Sequence, residues 1–88
     1  MDVQVDHSFI RDVKKVPLQM QKLVMTVIQS IKAAKKISDV PKIRKLSGGK
    51  NAYRIRIADY RLGLYLENQK TIILSRFLPR KDIYRYFP

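Results

Sequence analysis

The chain has 88 residues, no cysteine, and 19 Lys/Arg against 7 Asp/Glu, for a formal net charge of +12. That length suits one domain, residues 1–88, around one core, and an apolar content of 45% argues against disorder. The missing cysteines exclude a disulfide framework and a thiolate zinc site, and no apolar run approaches the roughly 20 residues needed to cross a bilayer.

Met1 to Asp6 lacks the basic and long apolar regions of a signal peptide, so a cytoplasmic protein is expected. Val3 and Val5 alternate with polar residues, as in a short strand. Ser8 is a candidate N-cap for a short helix that places Phe9, Ile10, Val13 and Val16 at helical spacing. Pro17 ends this helix and can open the next. Met20, Leu23, Val24, Val27, Ile28 and Ile31 then mark one face of a second helix, with Gln21, Lys22, Gln29 and Lys32 on the other. Lys35 and Lys36 would occupy its last turn, where cations suit the helix dipole. Ser38-Asp39-Val40-Pro41 breaks the helix, and 42–51 reads as a basic connector most flexible at Ser47-Gly48-Gly49. Two glycines without Walker spacing read as a plain turn, although a phosphate-cradling loop is the alternative.

Tyr53-Arg54-Ile55-Arg56-Ile57 alternates apolar and cationic residues, the period of a half-buried strand. One face would send Tyr53, Ile55 and Ile57 into a core; the other would present Arg54 and Arg56. Ala58-Asp59 and Asn68-Gln69-Lys70 then connect strands over roughly 53–57, 60–67 and 71–77. Arg80 to Tyr86 reads as a helical turn or irregular tail. The predicted fold is α+β: an N-terminal strand, a helical hairpin and a three-stranded antiparallel meander, with the helices packed on one face of the sheet. The other face is left for Arg54, Arg56, Arg61 and the tail.

The charge is uneven, with 7 of the Lys/Arg in residues 1–41 and 12 in residues 42–88. Nucleic acid is the leading partner class for such a surface. An anionic membrane fits less well, because the cations are not confined to one face of one helix. An acidic protein partner is compatible, and a merely solvated basic face is the bland alternative. The single histidine, His7, reads as a surface or capping residue. No His/Cys/carboxylate cluster suggests a metal site, and no cofactor is implied. Asp59 and Asp82 read as turn or ion-pair residues rather than general bases.

Cations and tyrosines are therefore the functional material. RNA cleavage requires the 2′-OH to attack the adjacent phosphorus, with charge stabilised on the phosphoryl oxygens and protons moved. Arginines bind phosphate bidentately, and a tyrosine can handle a proton or stack on a base. Lys45-Leu46-Ser47-Gly48, the run Tyr53-Arg54-Ile55-Arg56-Ile57-Ala58-Asp59-Tyr60-Arg61 and the tail Arg80-Lys81-Asp82-Ile83-Tyr84 resemble the RelE/ParE superfamily of bacterial toxins, above all its RelE branch. The resemblance implies a microbial-ribonuclease-type fold and a type II toxin that inhibits translation by metal-independent cleavage of mRNA, commonly on the ribosome. It implies an acidic antitoxin as partner, with a toxin monomeric when free. By motif position, Arg54, Arg56, Arg61, Arg80 and Tyr84 match the family's catalytic residues. Lys45, Lys50, Arg76, Lys81 and Arg85 extend this set as candidate RNA contacts. Two departures stand out. Many relatives have a histidine where this chain has Pro79, and some have lysine where it has the arginine pair. The superfamily also holds gyrase inhibitors, and a non-catalytic RNA- or partner-binding domain is a third reading.

Overall fold

The computed structural model describes residues 1–88. Its elements are β1 (Asp2–Val5), α1 (His7–Lys14), α2 (Leu18–Ala33), β2 (Ile43–Lys45), β3 (Ala52–Ile57), β4 (Tyr60–Glu67), β5 (Thr71–Pro79) and α3 (Arg80–Tyr86). The strands form one sheet in the order β1-β5-β4-β3-β2. The predicted meander β3-β4-β5 is present and antiparallel. It is extended at one edge by β1, parallel to β5, and at the other by β2, antiparallel to β3.

The alternation read from the sequence divides the sheet into two faces. Ile55, Ile57, Leu62, Leu64, Ile72, Leu74 and Phe77 pack with Phe9 and Val16 and with Val24, Ile28 and Ile31 of α2. Each fully buried aliphatic side chain of this size contributes about 1.5–3 kcal/mol, so this face supplies most of the hydrophobic stability. The opposite face holds a second, smaller cluster of Ala52, Ile83 and Phe87, edged by Leu46, Tyr65 and Leu78. It is the seat of α3.

Several local expectations are corrected. Ser8 does not cap α1; Asp6 occupies the cap position, and the Ser8 hydroxyl donates to the Ser75 carbonyl at 2.6 Å. Residue 75 lies beyond the end of β1, so α1 takes over the edge of β5 there. Pro17 is the cap residue of α2 rather than its first residue, and α2 ends at Ala33, before Lys35 and Lys36. The connector 42–51 contains β2, a strand of only three residues and too short for a period to register. Between β3 and β4 the turn puts Ala58 at φ 51°, a left-handed conformation that costs a non-glycine residue about 1–2 kcal/mol. Asn68 and Gln69 share that region between β4 and β5. No helix is long and apolar enough to cross a membrane.

Candidate active site

On the face opposite α1 and α2, register places cations side by side across three strands. Arg44 of β2 pairs with Arg54 of β3, and Arg56 of β3 pairs with Arg61 of β4. At about 4.8 Å per strand, this row is roughly 10 Å wide. The backbone N–H of Arg80 donates to the Asp59 carbonyl at 2.8 Å, which brings the start of α3 to the β3–β4 turn. Arg80 and Tyr84, four residues apart on α3, then share one side of the helix beside the row.

Arg61 sits at the centre. It is 8% exposed, and its guanidinium donates to the carbonyls of Ala58 at 3.1 Å and Tyr60 at 2.9 Å. These bonds hold the strained turn and fix the fork in one orientation. Burial lowers the Arg61 pKa, and the nearby charges of Arg54, Arg56 and Arg80 lower it further, while Tyr84 acts in the opposite sense. The group stays protonated at neutral pH but lacks a counter-ion. Such a pre-formed concentration of unneutralised charge suits a phosphate, for which arginine's planar fork is shaped. Two shallow pockets flank it. One, of about 560 Å³, is lined by Asp59, Pro79, Arg80, Lys81 and Tyr84; the other, of about 500 Å³, by Lys42, Ile43, Arg44, Arg54, Arg56 and Ala58.

The five residues read as catalytic therefore converge. The other basic candidates do not all join them. Lys81 lines the same pocket as Arg80 and Tyr84, and Arg85 is exposed one turn further on. Lys45 and Lys50 border a separate hollow at the β2–β3 turn, at the far end of β3 from Arg56. Arg76 is committed elsewhere. Its Nε donates to Asp12 Oδ2 at 2.7 Å and its Nη2 to Asp12 Oδ1 at 3.2 Å, while its guanidinium lies 5.4 Å from the ring centre of Tyr86. The hydrogen bond that Arg76 donates to Asp12 raises the Arg76 pKa above its ordinary value against the opposing effect of burial. Asp12 also accepts from the Phe77 backbone N–H at 3.0 Å, capping the edge of β5. This is the only ion pair, so Asp59 and Asp82 do not form the ion pairs considered for them. Arg44 and Lys42 were not anticipated from the sequence. The signal lay in Arg44 beside the apolar Ile43, but only pairing with β3 turns it toward the site.

The five-stranded mixed sheet with helices packed on it matches the fold of RelE toxins. The RelB–RelE antitoxin–toxin complex from Methanococcus jannaschii contains a chain that superposes with a TM-score of 0.79 at 35% identity, covering 97% of this chain and 99% of that one. An archaeal RelE–RelB complex from Pyrococcus horikoshii shares the fold at a TM-score of 0.73 and 19% identity, over 93% and 97% of the two chains. No protein-family model matches the chain. The chain belongs to the RelE family of toxins: it is 38% identical over 89 residues to Toxin RelE3 of Methanocaldococcus jannaschii, spanning 100% of both proteins. These three relatives are archaeal, whereas the sequence resemblance was framed on bacterial toxins.

Proposed function

We propose that this toxin inhibits translation by cutting mRNA endonucleolytically on the ribosome, and hence acts in the cytoplasm. The observation that supports this reading is Arg61, a buried residue whose charge has no carboxylate partner and feels Arg54, Arg56, Arg80 and Tyr84 around it. In the proposed reaction the substrate supplies the nucleophile. A 2′-oxygen loses its proton and bonds to the adjacent phosphorus; the bond from phosphorus to the 5′-oxygen breaks, and that oxygen takes up a proton. The products are a 2′,3′-cyclic phosphate and a 5′-hydroxyl. Arg61 and Arg80 stabilise charge on the phosphoryl oxygens, and Arg44, Arg54 and Arg56 hold the flanking backbone in line. Pro79, at the position of the family's histidine, carries no exchangeable proton. Tyr84, an exposed residue lining the pocket, carries the hydroxyl assigned to proton handling or substrate orientation.

The partner in this reading is an acidic antitoxin that covers the cluster; the related chains are found in RelE–RelB complexes. Leu18, Leu23 and Met25 are exposed on α2, and a groove of about 310 Å³ between α2 and β3 offers apolar anchorage. Controlled expression with primer extension on mapped transcripts tests the function. Cuts in phase with codons that disappear when translation is blocked support it. Supercoiling defects without RNA cuts would replace it with a gyrase target, and absence of any growth effect with a binding role. RNA affinity should also fall with salt, at a log–log slope of roughly −0.7 per phosphate contacted.

A further inference from the structure

We propose that Phe87 is a positioning residue of the site: seated over Gly63, it sets where α3 presents Arg80 and Tyr84 to Arg61. Its catalytic consequence rests on the nuclease reading; its structural consequence does not.

Gly63 lies in β4 two residues beyond Arg61, and its backbone does not demand glycine, since no glycine here has a positive φ. What excludes a side chain is Phe87. A Cβ at position 63 would stand 2.6 Å, 2.7 Å and 2.8 Å from three carbons of the Phe87 ring, closer than packed atoms approach. The absent side chain is therefore a seat for that ring. Phe87 is 2% exposed in it and lies 5.0 Å, centre to centre, from the tilted ring of Tyr65.

The seat governs the site through helix geometry. Ile83 and Phe87 face the sheet, and the Phe87 N–H closes the last turn on the Ile83 carbonyl at 2.8 Å. At 100° per residue, Arg80 and Tyr84 lie roughly 60–100° round the helix from Ile83. Whatever fixes the rotation of the Ile83/Phe87 side fixes where those two groups point. The start of α3 is tied to the β3–β4 turn by the bond from Arg80 to Asp59. The end is held by the seat. A helix of seven residues has too few turns to persist unsupported, so loss of the ring, which leaves Ile83 as its buried anchor, should loosen the last turn of α3, where Tyr84 sits. Tyr84 itself is 57% exposed and anchors nothing.

The test compares Phe87→Ala, Gly63→Ala and the double variant with the parent. Alanine is compatible with the strand backbone at 63, so Gly63→Ala evicts the ring without removing it. Two readouts are needed: ¹⁵N relaxation of the amides of residues 80–86 against those of β3 and β4, and kcat and KM for cleavage of ribosome-bound mRNA. Either single variant should loosen α3, leave the strand amides unchanged and lower kcat by about tenfold or more, because a displacement of about 1 Å is costly at a reacting centre. The double variant should be no worse than either single one, since both break the same contact. Phe87→Leu, which refills the seat, should recover order and turnover in part. Parental order and kcat in Gly63→Ala, or additive losses in the double variant, would overturn the proposal. If α3 loosens as expected while the parent cleaves no RNA, the positioning role stands and the nuclease reading fails.

Discussion

Two arginines on the same sheet, Arg61 on β4 and Arg76 on β5, are treated in opposite ways. Arg76 meets the chain's one buried carboxylate, Asp12, and its charge is satisfied twice over. Arg61 is buried more deeply than Arg76 and is surrounded by other arginines. A protein optimised for stability alone would not retain that second arrangement, because an unpaired buried cation is costly. The large apolar core behind the sheet carries this expense, and the face with the unneutralised charge is where an anion is expected to complete the structure.

Asp12→Ala should produce the largest effect on stability. It strips the partner from Arg76 and from the Phe77 N–H together, and should cost about 2–4 kcal/mol in denaturant unfolding. Because neither Asp12 nor Arg76 is among the charges acting on Arg61, the folded fraction should keep most of its specific activity. A neutral result would mean that the Arg76 pair is an ordinary surface contact.

Arg61→Ala should show the opposite pattern. Removing a charge-assisted phosphate contact should weaken cleavage by roughly 1.5–3 kcal/mol, measured as the change in kcat/KM. The lost bonds to Ala58 and Tyr60 should be partly offset by relief of charge repulsion, leaving a cooperatively folded domain. Global unfolding of this variant would instead make Arg61 a structural residue like Arg76.

Tyr84→Phe asks whether the site does chemistry or only binds. If the hydroxyl moves or orients a proton, cleavage should fall by about tenfold or more, with ribosome binding within about threefold of the parent. Parental toxicity would leave the chemistry to the arginines. The smallest expected effect belongs to Arg56→Gln. Removing one neighbouring cation should raise thermal stability slightly, by a few tenths of a kcal/mol, while weakening RNA binding. A loss of stability would show that the cluster does not repel itself as its geometry indicates.

Some of this was legible in the chain. The 3.6-residue apolar spacing of α2 and the period-two alternation of β3 are local, and each identifies a buried face directly. From the alternation and a two-residue connection, Arg54, Arg56 and Arg61 could be placed together, because the hairpin pairs residues that are close in sequence. Arg80 and Tyr84 stood out as a cation and a tyrosine of the basic tail, one helical turn apart, but their roles came from the family resemblance.

Four features were decided only by the tertiary structure. Arg44 reached the site because a three-residue strand, too short to show a period, found an edge on β3. Asp12 and Arg76 are 64 residues apart, so nothing local marked one as the other's partner or withdrew Arg76 from the basic surface. The helical tail took its position from a ring lodged against a glycine that no turn requires. The first strand joined the sheet in parallel beside the last, a non-local pairing with no sequence signature. The physical reason is common to all four. Local patterns specify which side of an element is apolar, whereas partners distant in sequence are specified only by the packing that brings them together.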